Sequence, residues 1–126
     1  MRSIEVKTRQ RTEIVDITEE VEKLLEDEGV ALIFTPHTTA SIILNEAESR
    51  LLEDILATLE RIVPKNSGYK HNEIDDNADA HIKASLLGNS VVLPFKNRRL
   101  QLGTWQRVLF VEFDGPRTRK VYVKVL

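Results

Sequence analysis

VVLPFKNRRLQLGTWQRVLFVEFDGPRTRKVYVKVL, residues 91–126, reads as strand after strand. Val91-Val92-Leu93 and Leu100-Gln101-Leu102 flank Lys96-Asn97-Arg98-Arg99, which predicts a hairpin. From Arg107 to Phe113, Val108, Phe110 and Glu112 alternate with Leu109, Val111 and Phe113. Asp114-Gly115-Pro116 marks a turn. Beyond it Val121, Val123 and Val125 alternate with Lys120, Tyr122 and Lys124. Period-two alternation repeated in this way predicts antiparallel strands with one face buried.

Upstream, the pattern changes period. Ala78 to Leu87, closed by Gly88, predicts a short helix, and Asp75, Asp76 or Asn77 is placed to cap it. Residues 64–75 form the longest irregular stretch. Before them, Leu51, Ile55, Leu59 and Ile62 recur at helical spacing until Pro64 stops the run, and Asn45 with Glu48 has the look of a capping box. Thr39 to Leu44 is extended. Val30-Ala31-Leu32-Ile33-Phe34 is a continuous apolar run, predicting a strand buried on both faces. Ile17, Val21, Leu24 and Leu25 predict a helix running to Glu28, capped by Asp16 or Thr18 and ended by Gly29. Residues 2–9 and Glu13 to Ile17 predict a strand and a return strand. The sum is an α+β fold: a mostly antiparallel β-sandwich with two longer helices and one short helix, with residues 1–126 as a single domain.

Composition narrows the function classes. The chain has 126 residues, 41% hydrophobic and 30% charged, enough for one core. Its apolar runs are too short to span a bilayer, so no membrane role is expected. Without cysteine it has no disulfide, thiolate ligand or cysteine nucleophile. The N-terminus shows no apolar signal segment, and a cytoplasmic location is expected. Net charge is −2 but uneven: residues 1–94 hold 10 Lys and Arg against 18 Asp and Glu, and residues 95–126 hold 8 against 2. A basic end of this kind fits phosphate or nucleic acid, or pairing with the acidic part of its own fold. Only Trp105 and Tyr122 are interleaved aromatics, so no nucleic-acid partner is expected.

The chemistry-bearing residues cluster at junctions. The chain's three histidines all lie in polar stretches. His37 follows the apolar run at 30–34, with Thr38, Thr39 and Ser41 as hydroxyls able to bind an anion. His71 follows Lys70 in the long loop. His81 lies on the helix after that loop and shares a face with Asn77. Imidazole is the commonest side-chain metal ligand and the one side chain that ordinarily titrates near neutrality. Convergence of the three makes a three-nitrogen site with an open position, suited to Zn, Cu, Fe or Ni; three unrelated surface histidines is the opposing reading. Glu46, near a helix start, is either catalytic or a complement to the helix dipole. Gln106 in a strand needs a bonding partner. Arg117 is either an anion clamp or a salt-bridge partner of Glu112 or Asp114. Phosphate-cradling glycine motifs and a nucleophile elbow are missing.

Three segments carry a resemblance: Pro36-His37-Thr38-Thr39-Ala40-Ser41-Ile42; Asn77 through Gly88; and Leu102-Gly103-Thr104-Trp105-Gln106 with Glu112 through Arg117. Together they closely resemble the YjbQ-like family, also called the secondary thiamine-phosphate synthase family. The resemblance implies a sandwich assembled as a homotrimer. It implies His37, His71 and His81 as metal or substrate ligands, surrounded by Asn77, Glu46, Gln106 and Arg117. The implied activity is weak thiamine-phosphate synthesis, which joins a hydroxymethylpyrimidine diphosphate to a thiazole phosphate and releases diphosphate. Lys70, Arg117, Arg119, Thr38 and Thr39 are candidates for the phosphates. A divalent metal is expected, Zn or similar, with Mg admitted for a diphosphate substrate. The partner expected is a small phosphorylated or anionic metabolite; a trimer that binds a metal or metabolite without turnover is the alternative. One departure is the hairpin at 96–99, where family members often carry a glycine near Arg98.

Overall fold

A computed structural model describes every residue from Met1 to Leu126. The strands are β1 (Arg2–Lys7), β2 (Glu13–Asp16), β3 (Glu28–Phe34), β4 (Ala40–Asn45), β5 (Ser90–Lys96), β6 (Arg99–Leu100), β7 (Arg107–Glu112) and β8 (Thr118–Val125). The helices are α1 (Thr18–Glu22), α2 (Ser49–Ile62) and α3 (Ala78–Leu87), with a 3-10 turn at Lys70–Glu73. All strand pairing is antiparallel, in a five-stranded sheet ordered β1-β8-β3-β5-β6 and a three-stranded sheet ordered β2-β7-β4. The fold is therefore α+β, as the alternation predicts.

The layers follow from which faces are apolar. Val6, Ala31, Ile33, Phe95, Val121 and Val123 of the larger sheet meet Ile42, Val108 and Phe110 of the smaller one. The other face of the smaller sheet, with Val111 and Phe113, packs against Leu59 of α2 and Ala80 and Ala84 of α3. Hence β7 lies between two cores, and Val108 through Phe113 are all buried. This reverses an expectation. The strand closed on both faces is β7, whereas β3 buries only Ala31 and Ile33 and leaves Val30 exposed. Continuous apolarity occurs in both strands, and only helix cover distinguishes them.

Other boundaries also differ from the pattern. The first helix ends at Glu22, not Glu28, because Leu24 and Leu25 bond back three residues and tighten the chain into a turn. Gly29 is no helix stop but part of β3, where a Cβ would lie 3.1 Å from the Phe95 ring. Ile17, not Asp16 or Thr18, holds the N-cap position of α1 and offers no side-chain bond; Asp16 just before it accepts the Thr18 N–H on Oδ1 at 3.0 Å. On α2, Glu48 accepts the Leu51 N–H, while Asn45 ends β4 and turns to the Glu46 N–H instead. Ile62 is exposed and Val63 takes the buried place. The helix count stands, but the short one is α1, and α3 runs ten residues. No helix is long and apolar enough to cross a membrane.

A candidate histidine site

His37 emerges where β3 ends beside β8. The Lys120 peptide there is held from both sides: its carbonyl accepts the buried Thr35 hydroxyl at 3.1 Å, and its N–H donates to His37 Nε2 at 2.9 Å. Burial lowers the His37 pKa, and the positive field of Arg119 adds to this, so the ring favours its neutral form. His37 and Thr38 line a pocket of about 600 Å³ whose far wall is His81 and Ser85 of α3.

His71 stands on the 3-10 turn. Its ring meets the His81 ring edge-on, with centroids 4.9 Å apart. Tyr69, Lys70, His71 and His81 line a second cleft of about 450 Å³, so His81 borders both spaces. His71 Nε2 lies 3.0 Å from Asn77 Oδ1, and Asn77 Nδ2 donates to Asp114 Oδ2 at 2.9 Å. Arg117 closes the chain with Nη2 on Asp114 Oδ2 and Nε on the Asp114 carbonyl. Of the two readings of Arg117, the structure shows the salt bridge, with Asp114 as its partner.

Asn77 opens α3 but does not cap it with its side chain, because that side chain is committed to His71 and Asp114. Asn72 caps instead, its Oδ1 accepting the Ala78 N–H at 3.0 Å. Neither Asp75 nor Asp76 takes that role.

Beneath the site is a buried pair that sequence reasoning missed. Glu112 has no exposed surface and Arg119 is 4% exposed. Arg119 Nε and Nη2 donate to the two Glu112 oxygens, and Nη2 also donates to Thr39 Oγ1 at 2.8 Å. The Thr8 hydroxyl donates to Glu112 Oε1, and the Asp114 N–H donates to Oε2. Burial pushes the Glu112 carboxyl up, and the bonds from Arg119 and Thr8 more than offset this, holding it below its ordinary value. The available signal was positional. Glu112 shares a face with Val108 and Phe110, and Arg119 with Val121 and Val123, so both charges point inward.

The remaining predicted residues are divided. Ser41 is buried, and its hydroxyl donates to the Ala84 carbonyl, tying β4 to α3 rather than facing a ligand. Glu46 and Gln106 adjoin Asn45 and Arg107, which pair at the opposite end of β4 and β7 from Ala40 and Glu112. At about 3.3 Å per residue that is some 17 Å of strand from the histidine end. Gln106 lies in the turn before β7, its Oε1 accepting the Gly103 N–H at 2.9 Å, which explains a glutamine there without a ligand. Trp105 beside it is 70% exposed, so it belongs to no core of this chain.

The donor set can be tested against a metal ion. No three His, Asp or Glu side chains are placed together to hold one. Nε2 of His37 receives a backbone N–H and Nε2 of His71 faces Asn77, so neither nitrogen is free for a metal in this arrangement. A three-histidine centre does not fit the side chains as they stand.

The description of the matching family is "UPF0047 protein YjbQ-like", and its match covers residues 2–126. The chain belongs to the YjbQ family. A YjbQ-family relative from Archaeoglobus fulgidus, a UPF0047 protein, is 58% identical over 122 residues, covering 96% of this chain and 97% of its own. The UPF0047 protein YugU of Bacillus subtilis is 40% identical, covering 100% of this chain and 98% of its own. Among solved structures of similar fold, hypothetical protein APE1520 from Aeropyrum pernix superposes with a TM-score of 0.95 at 43% identity, over 99% of this chain and 96% of that one.

Proposed function

We propose that this YjbQ-family protein is an enzyme whose histidine pocket acts on a small phosphorylated molecule. The observation that carries this reading is the shared wall: His81 borders both the polar His37 pocket and the more apolar His71 cleft, giving adjoining spaces of metabolite size, one suited to an anionic group and one to an apolar ring. The reaction implied by the sequence resemblance is thiamine-phosphate synthesis from a pyrimidine diphosphate and a thiazole phosphate. In this reading Thr38 and Lys70 bind phosphate oxygens, and neutral His37 presents an N–H. Arg117 holds Asp114 in place. No step is assigned to a metal ion. The homotrimer implied by the resemblance is part of the proposal, as is a cytoplasmic location.

The test is turnover by purified protein given both precursors, with thiamine phosphate followed by fluorescence after oxidation. Slow product formation is expected, lost in His71→Ala and His81→Ala. Precursor binding without product would instead identify a binding protein. Metal analysis of the same preparation gives an independent answer; stoichiometric zinc lost in His37→Ala would restore the three-histidine centre.

A further inference from the structure

The hydrogen bonds around the two outer histidines fix more than position. The Asp114 carboxylate is salt-bridged to Arg117 and has only lone pairs to offer. Asn77 must therefore turn its NH2 to Asp114, at 2.9 Å, which leaves Oδ1 facing His71 Nε2 at 3.0 Å. An amide oxygen accepts, so Nε2 carries the proton, and the lone pair of a neutral His71 lies on Nδ1. Turning Asn77 over would set its oxygen against the carboxylate. At His37 the donor and acceptor roles are reversed. A backbone N–H can only donate, so the Lys120 amide requires a lone pair on His37 Nε2, and the proton resides on Nδ1.

We infer that Asp114 and Asn77 are positioning residues that lock His71 in the Nε2–H tautomer, with Lys120 locking His37 in the opposite Nδ1–H tautomer. The two rings then present opposite polarity: a basic nitrogen on His71 and a donor on His37, with His81 between them. Such a site is complementary to a small oxyanion that also carries a proton-donating hydroxyl or amine, the anionic oxygen towards His37 and the proton towards His71. This deepens the proposed reading of the pocket and rests on it for the ligand. The tautomers themselves are read on ligand-free protein, so they stand or fall independently of turnover.

The experiment is long-range proton–nitrogen correlation spectroscopy on protein labelled with nitrogen-15 in its histidine rings, at about pH 8, above the ordinary imidazole range. His71 is expected as Nε2–H and His37 as Nδ1–H, the less common form of free imidazole. Asp114→Asn can donate as well as accept, which frees Asn77 to turn over. His71 in that variant is expected to show a measurable Nδ1–H fraction, with His37 unchanged. Asn77→Ala should release His71 in the same way and serves if Asp114→Asn fails to fold. A wild-type His37 in the Nε2–H form, or a wild-type His71 in the Nδ1–H form, overturns the inference. So does a His71 tautomer ratio that neither variant moves.

Discussion

A carboxylate with no exposed surface persists only because its bonds are complete. Glu112 accepts from Arg119, Thr8 and the Asp114 N–H, and removing Arg119 would leave a buried charge unpaired. Arg119→Met is expected to destabilise the protein by about 3–5 kcal/mol, read from urea unfolding. The sign of its pH dependence is a sharper check. In the wild type the folded pKa of Glu112 is lowered, so its contribution is fully present above the ordinary glutamate value of about 4.3 and is lost as pH falls through the lower folded value. In the variant the bonds from Thr8 and the Asp114 N–H remain, but without the guanidinium burial outweighs them and raises that pKa, so the deficit grows as pH rises and shrinks once the carboxyl is protonated. The gap between the two proteins should therefore be smaller at about pH 4 than at about pH 7; an equal or larger gap at low pH would show that Glu112 does not depend on Arg119. At this scale the sequence was half legible. The histidine motifs and Asn77 stand out by type, but a charge placed on an inward register looks like any other polar residue until the partner strand is known.

Turns are where the chain's elements are most specific. In the β5–β6 hairpin Lys96 pairs with Arg99, leaving Asn97 and Arg98 as a two-residue loop with φ of 53° and 64°. Both central residues at positive φ suit the right-handed twist of a hairpin. Asparagine tolerates that region, but arginine has a Cβ penalty of about 1 kcal/mol. Arg98→Gly is expected to raise stability by roughly that amount in thermal unfolding, less whatever glycine adds to the entropy of the unfolded chain; a loss of stability would mean that the Arg98 side chain holds the turn. Gly115 presents the reverse case. A Cβ there would lie 2.3 Å from the Gln10 carbonyl and 2.9 Å from Thr8 Oγ1. Gly115→Ala should cost about 2–3 kcal/mol and displace neighbouring Asp114, so loss of the wild-type His71 tautomer should accompany loss of stability. Existence and type of element were largely readable from periodicity. What periodicity could not assign was whether an apolar run is closed on one face or two, since that depends on where the helices lie, and it is β7, not β3, that they cover.

For the molecule as a whole, charge and core each link distant parts of the chain. Of the eight Lys and Arg in residues 95–126, three are paired within the fold: Arg107 with Asp16 and Glu19, Arg117 with Asp114, and Arg119 with Glu112, while Lys96, Arg98, Arg99, Lys120 and Lys124 are exposed. The acidic excess of residues 1–94, 18 Asp and Glu against 10 Lys and Arg, opposes a phosphate backbone, and a DNA titration at low salt is expected to show no binding with the steep salt slope of several phosphate contacts. The core makes the stronger prediction. The cluster between the sheets holds Val108 and Phe110, while the cluster under α2 and α3 holds Val111 and Phe113, so one strand serves both. Loosening either side removes support from β7 and hence from the other. Phe113→Ala, made on the helix side, should cost about 3–5 kcal/mol. It should lower protection against hydrogen exchange in β3 and β8, which Phe113 itself does not join, along with that in α3. Unfolding of both parts should remain one coincident transition at a fixed protein concentration. Helices that melt in Phe113→Ala while the five-stranded sheet keeps its wild-type protection would show two independent units, and β7 would then be a boundary between them rather than their common support.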